Sequence, residues 1–355
     1  NTGRVESSTR MVPEEARAAG FRTGAVISSF PLRGDDSGMR RGFDDYDDTF
    51  DSHEENRRGQ LVKSPEETTR RALAWAKEHA GEKFFLWVHY FPPHGPYAAP
   101  ARFLDPSEKA SGETLPVSKV NYEAGAIPAY QKLDIPPDAG LYKSRYAAQV
   151  RHVDFELGRL LDGLRDLGLY DDAVIVLASD HGESLGEHNH YFCHGDLVYD
   201  EQARIPLFVK PRGTAGQGRA DARPAQAADI GATLLAALGR KPGSAIDGLD
   251  LLGPLPAARP RFTASTAAEV VSIREDARLF TLRLGAPALL SADHPPMELF
   301  LTAQDQRAGR NRIAQEAALG AVLERAVRER FGAMPQSRKL SPEVEERMKS
   351  LGYIR

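Results

Sequence analysis

The strongest constraint on the fold is a repeated order of short apolar runs and amphipathic stretches. Lys83-Phe84-Phe85-Leu86-Trp87-Val88-His89 and Ala173-Val174-Ile175-Val176-Leu177-Ala178-Ser179 are nearly continuous apolar segments, the pattern of strands covered on both faces of a parallel sheet. Ile205–Lys210 has the same character, and Thr23–Ser29 is β-like. Helical stretches stand between them. Pro13–Ala19 has an early Pro and acids in its first turn, with Gly20 as its stop. Ser64-Pro65-Glu66-Glu67 is a helix start with a Ser N-cap and Pro at N1, and that helix runs to about His79. In residues 143–168, Tyr146, Val150, Val153, Leu157, Leu160, Leu161, Leu164 and Leu167 recur at spacings of three and four, and Gly168 ends the run. Ile230–Leu238 is a further helix, closed by Gly239. The alternation predicts an α/β fold, a mostly parallel sheet sandwiched by helices. Around Gly253–Pro260 the composition turns linker-like. Beyond it, Val270–Ile273 and Leu279–Leu284 read as an antiparallel hairpin and 312–331 as a helix. We therefore expect a core over 1–256 and a small C-terminal α+β subdomain over 257–355.

Composition removes several classes of function. With 46 basic against 50 acidic residues the net charge is −4, without the basic excess of an electrostatic nucleic-acid binder. The apolar runs fall far short of the ~20 residues that span a bilayer. Cys193 is the single cysteine, so no internal disulfide forms and the redox compartment is not legible from it. Asn1–Arg10 is polar and lacks both an initiator Met and a signal pattern, so we expect the chain to start partway into a longer protein. Residues 101–141 carry scattered prolines (Pro106, Pro116, Pro128, Pro136, Pro137) and read as a long surface excursion, a common place for function.

Ligands in open α/β sheets bind outside the carboxyl ends of the strands. Two strands here end in loops rich in reactive side chains. One runs from His89 through Pro93-His94-Gly95-Pro96-Tyr97; the other is Ser179-Asp180-His181-Gly182-Glu183, continuing through His188, His190 and His194. Four of the ten histidines lie between 181 and 194, a clustering that packing does not account for. Neighbours on a strand point to opposite faces, so Asp180 and His181 share one ion only if the chain turns there, as Gly182 permits. A carboxylate and an imidazole then make half of a divalent-metal site. Taken alone, the plain reading is that Asp180 caps a helix and His181 is solvated.

Other residues read more simply. His188 and His190 lack cysteine partners at zinc-site spacing and are expected to be solvated or supporting rather than a zinc cluster with His194. His89 is structural, and Trp75 and Trp87 belong to the core. Cys193 is a candidate accessible thiol but not a nucleophile. Asp35-Asp36-Ser37-Gly38 resembles a paired-Asp motif but follows Phe30-Pro31, and is expected to be a turn.

The surrounding pattern resembles the sulfatase branch of the alkaline-phosphatase-like hydrolases. In order along the chain, Ala18-Ala19-Gly20-Phe21-Arg22-Thr23-Gly24-Ala25, Gly42-Phe43-Asp44-Asp45-Tyr46, Phe85–Tyr97 with His94, and Leu169–Glu183 with Asp180-His181-Gly182 match that family's segments. His194-Gly195, Tyr199-Asp200-Glu201, Arg204-Ile205-Pro206-Leu207, Glu298-Leu299-Phe300 with Asn311, and the ending Leu351-Gly352-Tyr353 continue the series. The resemblance implies a sulfuric ester hydrolase in which a formylglycine, made from Cys or Ser in a C/S-x-P-x-R motif, attacks the sulfur of a sulfate ester. It implies a divalent cation, most often Ca2+ (Mn2+ or Zn2+ if the substrate is a phosphoester), with Asp180 and His181 as metal ligands. His94 and His194 map to catalytic, substrate-binding positions, and the partner is a small-molecule or glycan sulfate ester. A periplasmic or secreted location is expected on the same ground.

Three departures matter. The one C/S-x-P-x-R match, Ser29-Phe30-Pro31-Leu32-Arg33, comes after the Phe21–Ala25 step that follows the catalytic motif in the family's order, so roughly a hundred N-terminal residues carrying the nucleophile and further metal ligands are expected to be missing. Ser28-Ser29 stand where many arylsulfatases have a lysine-x-histidine pair, which makes Ser28 a candidate substrate contact and leaves phosphodiester or phosphonate monoester hydrolysis open. Histidine at 194 replaces a frequent lysine; with a reference pKa near 6.5, it is expected to lose its charge, and the site its activity, as pH rises through neutrality. A phosphoethanolamine-type transferase, which shares Ser-Asp-His-Gly-Glu followed by His-Gly, is a further alternative. So is a non-catalytic sulfate- or glycan-binding homologue.

Overall fold

The computed structural model describes residues 4–50, 62–121, 123–213, 218–241, 247–265, 270–284 and 295–332. Helix α1 (Val12–Ala18) leads through Gly20 into β1 (Arg22–Val26), and a single helical turn, α2 (Gly34–Ser37), precedes β2 (Asp45–Asp47). Helix α3 (Pro65–Glu78) then delivers the chain to β3 (Phe84–Val88). The three strands form a parallel sheet in the order β2-β1-β3, with Gly24 opposite Leu86 and Val26 opposite Val88. The Ser64 hydroxyl accepts from Glu67 N at 3.2 Å, so α3 starts as its sequence predicts.

Alternation along β1 sends side chains to two different layers. Val26 packs with Ala72 of α3 and with Leu160, while Ala25 and Ile27 pack with Phe43, Phe85 and Trp87 on the other side. Trp75 lies against β1 so closely that a Cβ on Gly24 would come within 2.5 Å of the indole. Strand β3 is half-buried rather than covered on both faces. Among the described residues it is an outer strand of its sheet, with one neighbour instead of two.

Helix α4 (Ala139–Asp166) crosses α3, and β4 (Ile175–Ala178) follows it. β4 pairs with β7 (Leu207–Lys210), and the pairing is antiparallel. Between them lie the short hairpin of β5 (Ser184–Leu185) and β6 (Tyr191–Cys193), and one helical turn, α5 (Asp200–Ala203). Helix α6 (Ala228–Ala237) packs against α1 and ends at Gly239, which has φ +69°. The buried stripe of α4 also departs from expectation. It runs through Tyr142, Gln149, His152, Glu156 and Leu160, whereas Val150 is exposed. The polar members are buried because each has a partner: His152 meets Glu66 at 2.9 Å and stacks on Phe103, and Glu156 takes Arg159 at 3.0 Å.

The 101–141 excursion is not purely superficial. Leu115 and Ile127 are buried against Tyr97, Tyr142 and Phe192. The C-terminal sheet contains β8 (Arg261–Ala264), β9 (Val270–Glu275), β10 (Arg278–Arg283) and β11 (Met297–Leu301), antiparallel in the order β11-β10-β9-β8. On one face, Val271, Phe280 and Leu299 meet Leu323 and Val327 of helix α7 (Ala317–Phe331). Leu279 and Phe300 form a separate cluster with Leu197, Tyr199 and Ala308, so this sheet rests on the turn that precedes α5.

Asp138 joins the excursion to α4. Its carboxylate caps the helix by accepting from Leu141 N and also accepts from Ser111 N and Gly112 N. Desolvation acts in the opposite sense, but these amides hold its pKa down at about 2. The folded value lies below the unfolded one near 3.9, so its stabilisation is complete above about pH 4 and fades as pH falls towards 2. Asp138→Ala is expected to lower the melting temperature by a few degrees at pH 7. In calorimetric scans the gap to the parent should close across that acid window.

Candidate active site

The side chains singled out by sequence stand at four strand exits. Ser28 follows β1, His94 lies in the turn after β3, and Asp180 and His181 follow β4 directly. His194 leaves the end of β6. Three of these residues converge as imidazoles. The rings of His181 and His194 stack with centroids 3.7 Å apart and an interplanar angle of 17°. His94 stands edge-on to both, 4.9 Å from His194 and 6.4 Å from His181, and is itself stacked on Phe91.

Each ring is anchored through Nδ1. His94 Nδ1–H donates to Gly95 O and His181 Nδ1–H to Gly182 O, both at 2.8 Å. His194 Nδ1 lies 3.2 Å from one oxygen of Glu183 and 3.4 Å from the other. A carbonyl only accepts, so Nδ1 carries a proton in both rings and Nε2 is the atom left to meet a ligand. His181 Nε2 then lies 3.6 Å from Asp180 Oδ1, and two acceptors face each other. That donor set, one imidazole nitrogen tied behind to a carbonyl and one ionised carboxylate, fits a divalent cation. Asp180 is open to solvent, with 79% of its side chain exposed.

The neighbouring pair is closed. Burial pushes the Glu183 carboxyl up to about 8 and drives the His194 imidazole well below its usual value, helped by the adjacent His181 ring. Both groups are therefore held in their neutral forms, and the expectation of a His194 cation discharging near neutrality does not hold. Burial likewise lowers the His89 imidazole to about 4, against the attraction of Asp180.

Ser28 stands behind this cluster, bonded to the residues that lead into the His94 turn. It is fully buried, donating to His89 O at 2.6 Å and accepting from Phe91 N at 2.7 Å. Its hydroxyl shapes the turn that carries His94, because two backbone groups leaving β3 need partners there. Asp35, a surface group 3.8 Å from Arg40, lies in the helical turn α2 rather than in the expected loop, and the Asp36 side chain lies outside the described residues. In the excursion Tyr130 approaches His94 with ring centroids 5.9 Å apart, while Tyr142, in the first turn of α4, is buried and accepts from Leu133 N. Tyr122 lies outside the described residues.

Residues 4–240 match the model of the sulfatase family. The chain belongs to the sulfatase family. It is 29% identical over 215 residues to the multifunctional alkaline phosphatase superfamily protein PehA of Trinickia caryophylli, an overlap covering 54% of this chain and 41% of that protein. It is 31% identical over 147 residues to the choline-sulfatase of Rhizobium meliloti (strain 1021), covering 37% of this chain and 27% of that one. The chain thus spans less than half the length of these curated relatives. Among solved structures it is similar to the phosphonate monoester hydrolase SpPMH from Silicibacter pomeroyi, with TM-score 0.67 and 20% identity over 94% of this chain and 81% of that one. BT4656, solved in complex with its substrate D-glucosamine-2-N,6-O-disulfate, has TM-score 0.62 and 18% identity over 99% and 84% of the two chains. The architecture is that of the alkaline-phosphatase-like fold.

Within this sulfatase-family site, two supporting residues escaped the sequence reading. Glu183 belongs to the quoted metal motif, yet nothing local marks it as the partner of a histidine eleven positions on. Gln202 carries no sequence signal at all. Its carbonyl accepts from Gly182 N at 2.8 Å, its Oε1 accepts from Gly195 N and Leu197 N, and its Nε2 donates to Ser184 Oγ and Asp196 Oδ1. A Cβ on Gly182 would sit 2.1 Å from Glu201 O, so only glycine allows this approach. One buried amide thus ties the His181 loop to the His194 loop. Gln202→Ala leaves two backbone N–H groups and a carboxylate oxygen without that partner, at about 2–4 kcal/mol. Urea denaturation should register the loss as a lower midpoint.

Proposed function

We propose that this chain forms the cation- and oxyanion-binding part of a sulfuric ester hydrolase acting on small-molecule or glycan sulfate esters. The observation that carries the reading is the convergence of His94, His181 and His194 beside Asp180 at the strand exits. Asp180 Oδ1 and His181 Nε2 would hold a divalent cation, calcium by family resemblance. When bound, that ion would neutralise ester oxygens as charge shifts onto them. His94 has its Nδ1–H committed to Gly95 O, so a proton taken up by this ring sits on Nε2, where it can be passed to a leaving alkoxide. Neutral His194 contributes an uncharged contact, positioned by Glu183. The single S-x-P-x-R match among the 355 residues, Ser29-Phe30-Pro31-Leu32-Arg33, begins at a buried serine beyond β1, after the step that follows the catalytic motif in the family's order, and the proposal assigns the formylglycine nucleophile to a segment outside them. A periplasmic or secreted location is proposed on the family resemblance.

A second reading, phosphonate monoester or phosphodiester hydrolysis, is favoured by the similarity to SpPMH and PehA. The lack of a fixed cation at position 194 suits it equally, since these esters and a sulfate ester each carry a single negative charge.

Titration calorimetry of the chain with Ca2+, and then with sulfate in its presence, tests the proposal. Asp180→Asn is expected to weaken Ca2+ binding about tenfold or more, and His94→Ala to weaken sulfate binding without changing Ca2+ affinity. Sulfate binding indifferent to both substitutions would remove the assignment. Tighter binding of methylphosphonate than of sulfate would move it to the second reading.

A further inference from the structure

Beyond the stacked imidazoles, β6 and its flanking turns bring together His190, Cys193 and Asp196. The three are 1%, 2% and 4% exposed. One ligand atom from each, an imidazole nitrogen, a sulfur and a carboxylate oxygen, lies within 4.8 Å of the other two. Cys193 Sγ is 4.0 Å from His190 Nδ1, and Asp196 Oδ2 is 2.9 Å from the same nitrogen. Two partners therefore crowd one ring atom. In a Cys–His–Asp relay the thiol and the carboxylate take opposite ring nitrogens, so this geometry excludes a relay. Burial also raises the Cys193 thiol well above its usual pKa, and the expected accessible thiol is not found.

Asp196 supplies a second, independent observation. Its Oδ1 accepts from Gln202 Nε2 at 2.9 Å, and Oδ2, equally buried, lies 2.9 Å from His190 Nδ1 as its partner. With the sulfur of Cys193 at the same ring atom, the three donors are placed as ligands are placed around a common ion. The outer oxygen held by an amide is the usual support of a ligating carboxylate.

We propose that His190 Nδ1, Cys193 Sγ and Asp196 Oδ2 form a buried structural site for a thiophilic divalent cation of the zinc type, separate from Asp180 and His181. Nitrogen and sulfur donors select zinc over calcium. Binding forms metal–nitrogen, metal–sulfur and metal–oxygen bonds and releases the thiol proton to solvent. Thiolate and carboxylate then carry two negative charges against the two positive charges of the ion, and the buried site is neutral. With no opening for substrate, its role is to cross-link β6, next to His194, to the turn ahead of α5. Sequence reads both His188 and His190 as solvated or supporting; His188 binds Glu201 at 2.7 Å and stacks on Tyr199, whereas His190 is buried beside Cys193.

Cobalt(II) titration of the whole chain under reducing, thiol-free conditions tests this independently of the ester-hydrolase reading. We expect one equivalent to produce a thiolate-to-cobalt charge-transfer band in the near ultraviolet. Cys193 is its only possible source, since the chain has a single cysteine. Zn2+ should displace the band and Ca2+ should not. Asp196→Asn should weaken cobalt binding tenfold or more, Cys193→Ser should abolish the band, and Asp180→Asn should leave it intact. Absence of the band at saturating cobalt in the parent protein would overturn the proposal, as would its persistence in Cys193→Ser. Should Cys193→Ser fail to fold, the parent titration decides alone.

Discussion

The candidate site depends on one close approach, that of the Gly182 backbone to α5. Strand β4 ends at Ala178, and β5 and β6 are too short to fix the loops between them through ladder hydrogen bonds. Their place is taken by Gln202, whose main chain receives Gly182 N and whose side chain receives or supplies five further bonds to residues 184–197. A short rigid turn thereby does what an extended sheet does elsewhere in the molecule. Leu197 and Tyr199, immediately before that turn, pack on Leu279 and Phe300. The C-terminal sheet is thus part of the foundation on which the histidines stand.

Burial then decides the electrostatics. A cluster of three imidazoles and two carboxyl groups in open water would titrate independently near ordinary values. Here Glu183 and His194 are enclosed together and driven towards their neutral forms, while Asp180 stays at the solvent edge. The inner pair can orient a ring without adding net charge, and the outer carboxylate is left to meet a cation. Stacking of His181 on His194 at 3.7 Å adds to this, because two charged rings at that distance would repel. Position 194 is therefore held by a ring that burial biases against positive charge.

Sequence legibility followed the range of the interactions involved. The start of α3 was readable because Ser64, Pro65 and Glu67 act within one turn of each other. The common neighbourhood of His94, Asp180, His181 and His194 was readable because strand ends and motif order constrain where such loops meet. The buried stripe of α4 was misjudged because apolar periodicity ignores Gln149 and His152, whose partners are distant in sequence, and Glu156, which is held by Arg159 one turn on. The antiparallel direction of β7 against β4 is equally silent, since hydrophobicity carries no sense of strand direction. Ser28 was misplaced for a related reason. A serine after a strand suggests a rim, but here two backbone groups claim its hydroxyl.

The loop from 180 to 202 holds two donor sets of different chemistry within a few residues of each other. Asp180 and His181 are partly solvent-facing and pair a hard oxygen with an imidazole, whereas His190, Cys193 and Asp196 are sealed and include a thiol. Exposure separates their uses as sharply as ligand type does. An open set can admit an oxyanion beside its ion; a sealed one can only hold chain to chain. Gln202 touches both, binding Gly182 through its backbone and Asp196 through its amide. Any displacement of the sealed set is therefore transmitted to the open one through a single residue, and the loop is best understood as one mechanical unit rather than two neighbouring sites.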